Sequence, residues 1–219
     1  MSTNRANSEL QALEQYRVAL QNVESQPIIA TTMAEFGYGT DVINIGRQLL
    51  TECRQAFDSN TKESDEEATA YAAFSKIADA ISATYKNHRK KAKVAFRKDA
   101  LILKRLILDE AEPKAYLKWV EAMRTLYKNL QSDHDLQSKV ALIKLTPAEV
   151  AAALAAITEM ETAREAYLRE KGESQDATKT KNAAFEKIDE WMSDFYAFAR
   201  IAMDDKPQLL ESIGLFVRS

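Results

Sequence analysis

The residues best suited to bind a charged partner lie in one run, residues 86–105, which holds nine basic residues and a single acid, Asp99. Basic residues recur there every three or four positions, and this spacing places several of them on one face of a helix. A row of cations of this kind can hold a phosphate backbone or an acidic protein surface. The run contributes the candidate partner-binding residues Lys86, Arg89, Lys90, Lys93 and Arg97.

Three interpretations of this basic run stay open: a solvated charged face, a contact with an acidic protein, and a contact with nucleic acid. Nucleic acid is the weakest of them, because the whole chain has a net charge of −3 and no exposed-looking aromatic residues alternate with the lysines. The matching part of the second half of the chain is acidic, with Asp204, Asp205 and Glu211. We therefore expect a homo-oligomer or another protein as the partner, and no membrane.

Side chains that commonly catalyse reactions or bind metals are few. The chain has one Cys and two His, too few for a zinc site, and neither His follows a Glu by three residues as di-iron bundles require. Cys53 lies on an apolar stripe, which predicts a buried, inert thiol. For His88, on a similar stripe, a packed role and a pH-sensitive role at a bundle opening both stay open. We predict no catalytic residue, no metal and no cofactor, and hence no enzyme.

An unusually apolar connection follows the first predicted helix at residues 25–39. Pro27, Gly37 and Gly39 interrupt it, and it is too long and too apolar for a solvated linker. We predict an apolar crossover loop that either packs as structure or serves as a binding surface. In an alternative function, the crossovers cover a pocket for a small apolar ligand. The candidate binding residues of this segment are Ile28, Ile29, Met33, Phe36 and Tyr38.

The rest of the chain has the composition and the apolar spacing of helices. Only five Gly and four Pro occur in 219 residues, and apolar residues recur every three or four positions. Ser8 is a candidate N-cap, and the segment Thr146–Glu149 has the pattern of a capping box. The polar run at residues 59–67 predicts a hairpin, and Gly172 predicts a helix end. Each half of the chain is thus expected to hold three long helices and a short fourth.

The two halves of the chain resemble each other. The segment AAFSKI at residues 72–77 returns as AAFEKI at residues 183–188, an offset of 111, whereas most other matches fall at an offset of 107. The matches keep their order along the chain, which indicates an internal duplication. We predict an all-α helical bundle of two repeat units, residues 1–110 and 111–219, packed together as one compact domain with pseudo-twofold symmetry.

The predicted location and function follow from several further features. The N-terminus lacks the apolar core of a signal peptide, no window is apolar enough for a good membrane span, and one Cys permits no internal disulfide. The segment DKPQLLESIGL resembles the endings of bacterial helical proteins of unknown activity. We predict a soluble, cytoplasmic, bacterial protein that acts as a non-enzymatic interaction or scaffold module. The alternatives are the bundle that binds an apolar ligand and, more weakly, binding of nucleic acid or an acidic partner through residues 86–105.

Overall fold

The computed structural model describes residues 2–215, with side chains described from Ser8 onward. This part of the chain folds into eight helices and contains no strand, which confirms the all-α prediction. Ala, Leu, Glu and Lys favour this outcome, because they lose little side-chain freedom in a helix. None of the described helices combines the length and the apolar character that crossing a membrane requires. The helices are α1 (Ser2–Ser25), α2 (Pro27–Glu35), α3 (Thr40–Ala95), α4 (Ala100–Arg105), α5 (Tyr116–Ser132), α6 (His134–Ala141), α7 (Pro147–Ala202) and α8 (Gln208–Ser212).

Helix α3 is continuous over 56 residues, so the predicted hairpin at residues 59–67 is wrong. Ser, Thr and Asn are compatible with a helix as well as with a turn, and the run contains no Gly or Pro to stop a helix. Two of its hydroxyls donate to helix carbonyls one turn earlier, Thr61 to Phe57 and Ser64 to Asn60. The polar run is therefore the middle of a long helix rather than its end.

Helix α7 also runs for 56 residues, and Gly172 lies inside it rather than at its end. A glycine inside a helix costs only about 1 kcal/mol, which packing along a long helix outweighs. The predicted capping box is confirmed, because the Glu149 N–H donates to Thr146 Oγ1 and the Thr146 N–H donates to the Glu149 carboxylate. Ser8 lies inside α1 and is not its N-cap. One long helix thus replaces two of the three long helices expected in each half.

The crossover predicted as a loop at residues 25–39 contains a short helix, and so does the matching connection at residues 132–145. Helix α2 fills most of residues 25–39 and begins at Pro27, whose fixed φ suits a first helical turn. Helix α6 occupies the matching connection, where the Asp133 carboxylate accepts the backbone N–H groups of Asp135 and Leu136. Local capping and apolar packing are sufficient to make helices of segments that are too short to be periodic over many turns.

Contacts between residues divide the chain into two compact units. Unit 1 comprises Met1–Ser64 and Glu173–Ser219, and unit 2 comprises Asp65–Gly172. Each long helix contributes one part to each unit, so each unit contains segments of both predicted repeats. The repeat boundary between residues 110 and 111 concerns sequence repetition and stays a prediction, as does the pseudo-twofold symmetry.

In unit 1, α3 and α7 pack together in antiparallel directions, because Gly46 lies against Trp191 while Phe57 lies against Phe185. Helices α1, α2 and α8 complete its apolar core. A buried ion pair joins α1 to α7, with the Lys181 Nζ 2.5 Å from a Glu9 carboxylate oxygen. Unit 1 carries 11 Lys and Arg against 17 Asp and Glu, a net charge of −6.

In unit 2, the other parts of α3 and α7 pack together with α4, α5 and α6 around a second apolar core. Aromatic rings join the two long helices there, with Phe74 stacked on Tyr167 at a centroid distance of 6.1 Å. Tyr85 of α3 and Tyr127 of α5 are fully buried and meet edge to face. Unit 2 carries 19 Lys and Arg against 16 Asp and Glu, a net charge of +3. The two units therefore have the same kind of core but opposite net charge.

Candidate functional site

The basic run places three cations on the outside of α3 in unit 2 and a fourth, Arg97, in the turn that follows this helix. The Lys93 ammonium donates a hydrogen bond to the Glu110 carbonyl oxygen at 3.3 Å. The other three form no ion pair or hydrogen bond with any residue that the structure describes. We refer to the four as the cationic face. Its residues are Lys86, Lys90, Lys93 and Arg97, and all are exposed.

Arg89 differs from the cationic face, because its side chain is only 6 % exposed. Its guanidinium donates to the carbonyl oxygens of Ile107 and Glu110, both at 2.5 Å, and to the Tyr85 hydroxyl at 3.3 Å. These bonds hold the turn after α4 against α3. As a partner-binding residue Arg89 stays a prediction, but in the structure its donors are directed to the backbone rather than to solvent.

The remaining charged residues of the run mostly serve local structure. Asp99 is the N-cap of α4 and accepts a backbone N–H of that helix. The Lys91 ammonium donates to the Lys144 carbonyl oxygen at 2.6 Å. The Arg105 guanidinium pairs with the Asp133 carboxylate at 2.9 Å. The backbone hydrogen bond from Leu136 and then this contact with Arg105 lower the pKa of Asp133. The single acid of the run therefore neutralises no residue of the cationic face.

The five candidate residues of the first crossover separate into two groups. Ile29 and Met33 of α2 are 0 % exposed and pack in the core of unit 1. Ile28 is 58 % and Phe36 39 % exposed, so both present apolar surface to solvent. Tyr38 is half-buried within an aromatic cluster. The structure thus places two of the five at a surface where a partner could reach them.

Cys53 occupies the predicted place on an apolar stripe. It is fully buried and free, and burial raises the pKa of its thiol to about 12. The thiolate, which is the reactive form, is therefore scarce at neutral pH.

A groove in unit 2 lies between α3 and the beginning of α7, with a volume of about 1020 Å³. Alanine lines much of both walls. Four polar side chains lie toward the end at which α7 begins, and Lys76 and Glu159 lie toward the other end. Small side chains leave this space, since an alanine reaches only one carbon beyond the backbone. The lining residues used below are Ala80, Thr84, Asn87, His88, Lys91, Glu149, Ala152, Ala153 and Ala156.

His88 lies at the polar end of this groove and is only 6 % exposed. Its Nδ1 is 3.1 Å from the Tyr127 hydroxyl, and its Nε2 has no hydrogen-bond partner among the described residues. Burial lowers the pKa of the imidazole, while the nearby Glu149 carboxylate acts in the opposite direction. The ring is therefore neutral at pH 7, and Nε2 is the nitrogen that a bound molecule could reach.

Sequence reasoning missed the groove and the inward direction of Arg89. The spacing held a signal for Arg89, which lies four residues after Tyr85 and three before Ala92, both buried. No comparable local signal marks the groove, because an alanine-rich helix face can be covered or open.

A comparison of the chain with protein-family models, curated proteins and solved structures finds no match in any of the three.

Proposed function

We propose that this chain is a non-enzymatic protein-interaction module that binds an acidic protein surface through the cationic face of unit 2. The observation that carries the proposal is the exposure of Lys86, Lys90 and Arg97 without a carboxylate partner among the described residues. Cations on a helix and on the turn directly after it attract an acidic partner and steer its approach. A partner can neutralise this row without breaking any ion pair already formed within the unit.

A second copy of the chain is the first partner to test. Unit 1 carries a net charge of −6 and unit 2 a net charge of +3, so unit 2 of one copy is complementary to unit 1 of another. Acidic side chains without a hydrogen bond or ion pair to described residues lie exposed on α7 of unit 1, including Glu186, Glu190 and Asp194. Charge complementarity of this kind affects the rate and specificity of association more than its affinity.

The test is light scattering over a range of protein and salt concentrations. We expect self-association at low salt that weakens as salt rises, since exposed charges are screened beyond about 10 Å at 0.1 M. The triple variant Lys86→Glu, Lys90→Glu, Arg97→Glu should be monomeric. The matched control Lys114→Glu, Lys118→Glu, Lys139→Glu changes the same net charge at exposed positions of unit 2 and should associate normally.

Two results would contradict parts of this proposal, the first its choice of partner and the second its class of partner. A wild-type chain that stays monomeric under all conditions excludes the second copy as partner. Binding of a fluorescent single-stranded or double-stranded nucleic acid, lost in the triple variant and falling steeply with salt, would assign the cationic face to phosphate instead.

We also infer that the chain arose by duplication of a unit of about half its length. Helices α3 and α7 have 56 residues each and begin and end 107 residues apart. The same offset relates the last residues of α1 and α5. It also pairs the four described residues that have positive φ, Gly37 with Lys144 and Ile107 with Gly214. Four special backbone positions that pair at one offset support common descent better than matched helix lengths alone.

The repeated segment at residues 72–77 and 183–188 has an offset of 111, which is four residues more than 107. Four residues are close to one helical turn, so the shifted segments still present similar faces. Relatives of the chain should show their strongest similarity between halves at an offset of 107. A maximum at 111, or no maximum at all, would count against the duplication.

A further inference from the structure

Matching positions on the two long helices are open in unit 2 and filled in unit 1. Thr84 and Ala153 line the groove of unit 2. The residues 107 positions further along from Thr84 and 107 positions before Ala153 are Trp191 and Gly46, which meet in unit 1. Matching surfaces of α3 and α7 are therefore packed together in unit 1 and separated by a groove in unit 2.

In unit 1 an indole ring fills this place. The Trp191 ring lies so close to Gly46 that a Cβ added to the glycine would stand 2.5 Å from it. The ring stacks on Phe195 with a centroid distance of 5.5 Å and an interplanar angle of 8°, and Tyr38 meets its edge at 5.8 Å. Stacked and edge-to-face arrangements are the favourable geometries of aromatic pairs. What remains of the groove in unit 1 has a volume of about 340 Å³.

In unit 2 the stacking surface remains but the indole is missing. His88 stands at the position that matches Phe195, and it also presents a flat ring. Thr84 stands where Trp191 would be, and its hydroxyl donates back to the Ala80 carbonyl of its own helix. The groove of unit 2 thus has the helix walls and one flat ring, but it has no side chain in the place that Trp191 fills in unit 1.

We propose that this groove binds a small planar aromatic ligand of about the size of an indole, stacked on the His88 ring between the alanine walls. The polar end explains why the ligand should also carry a hydrogen-bonding group. His88 is more than nine-tenths buried and offers its ring face for stacking, and Asn87, Lys91 and Glu149 line the same end, where they can meet a polar group at the edge of the stacked ring. In unit 1 the positions matching His88, Lys91 and Glu149 hold Phe195, Phe198 and Val42, which offer no such group.

The depth of the site differs slightly from that in unit 1. Ala153 carries the methyl group that Gly46 lacks, so the ligand ring lies farther from α7 than the Trp191 ring lies from α3. A free ligand can make this adjustment because it is not tied to a helix backbone. Replacing Ala153 by Gly should therefore deepen the groove and tighten binding several-fold.

The experiment uses the full chain labelled with ¹³C at the alanine methyl groups and titrated with indole. A bound ring shifts the resonances of the methyls above and below it. We expect saturable shifts at Ala80, Ala153 and Ala156 in the groove of unit 2, and none at Ala183 or Ala184 in unit 1. Indene has the same shape without the N–H, and it should bind at least about threefold more weakly if the hydrogen bond contributes about 0.7 kcal/mol.

Two variants test the site itself. The double variant Thr84→Trp, Ala153→Gly copies the pair of unit 1 and should fill the groove from within, so that indole binding falls by at least tenfold. The single variant Ala156→Leu introduces the residue found at the matching position of unit 1, Leu49, and should narrow the groove. Unchanged methyl resonances of unit 1 show that each variant is folded.

The outcomes are distinct. Shifts in the groove of unit 2 that saturate and disappear in both folded variants support the proposal. Absence of shifts with indole overturns it, as do equal shifts at the unit 1 alanines or undiminished binding by the double variant. Shifts that appear only with an aromatic side chain of a protein partner, and never with free indole, also overturn the assignment to a small ligand.

Discussion

Unit 1 and unit 2 use matching positions of α3 and α7 for different purposes. In unit 1, Trp191 closes the space between the helices by packing on Gly46. In unit 2, Thr84 and Ala153 leave that space open as a groove. Both long helices are continuous over 56 residues, so the two arrangements occur along the same pair of helices. The difference teaches that the same pair of helix positions can be filled from within by a large side chain or left open by small ones.

A second difference concerns how α1 in unit 1 and α5 in unit 2 contact the two long helices. In unit 1 a buried ion pair connects Glu9 to Lys181. At the matching positions of unit 2, Tyr116 and Phe74 meet edge to face at a centroid distance of 6.3 Å. A buried ion pair is weak evidence for stability, because desolvation offsets much of its attraction. The two units thus fill the same place with charge in one case and with aromatic surface in the other.

The largest effect is expected from breaking that ion pair. Lys181→Met removes the cation of this buried pair and should lower the free energy of unfolding by about 3–5 kcal/mol. Urea unfolding followed by circular dichroism measures the loss. The double variant Glu9→Tyr, Lys181→Phe installs the pair of unit 2 and should recover most of the stability. If the double variant is no more stable than Lys181→Met, the two places are not interchangeable.

The next effect is expected at Gly46. Its replacement by Ala forces a methyl group into the Trp191 ring and should cost about 1–3 kcal/mol in urea unfolding. Gly172 is the matched control, because it lies inside α7 with open space around its Cα. Gly172→Ala should stabilise by about 1 kcal/mol through helix propensity alone. Stabilisation by both substitutions would show that Trp191 does not need the glycine.

Smaller effects on stability, of opposite sign, are expected in the turns before α3 and α7, where one residue of each turn has a positive φ. Gly37 has φ 90° and Lys144 has φ 57°. The left-handed conformation costs a residue with a side chain about 1 kcal/mol and glycine almost nothing. Lys144→Gly should therefore raise the thermal unfolding temperature and Gly37→Lys should lower it. Shifts of the same sign would contradict the match between these turns.

The smallest effect is expected from pH acting on His88. Burial lowers its pKa below the ordinary value of 6.5, so the unfolded chain takes up the proton first as pH falls. Stability from this group is complete above about pH 6.5 and declines below it. Glu149 and Lys91 face the ring with opposite charge, and Tyr127 stays neutral in this range. His88→Phe, which copies unit 1, should reduce the pH dependence of the urea-unfolding midpoint between pH 5 and 7. An unchanged pH dependence would contradict the assignment to His88.

Local patterns in the sequence predicted much of the helical structure. The capping box at Thr146–Glu149, the buried place of Cys53 and the all-α class follow from residue types and spacings within a few turns. The hairpin at residues 59–67 could not be decided in the same way. A polar run without Gly or Pro suits either a turn or the exposed middle of a helix, and only packing along the rest of α3 and α7 selects the helix.

The candidate site, like the helices, was predictable from the sequence only in part. The sequence by itself determined that residues 86–105 form a strongly basic segment. Helical spacing predicted one shared face for Lys86, Lys90, Lys93 and Arg97, although α3 ends at Ala95 and Arg97 lies in the turn beyond it. Only the tertiary structure directed Arg89 to the carbonyls of Ile107 and Glu110. Only the tertiary structure left the groove beside His88 open. Whether a small-residue surface is filled depends on a side chain from a distant part of the chain, as Trp191 does for Gly46, and no local pattern carries that information.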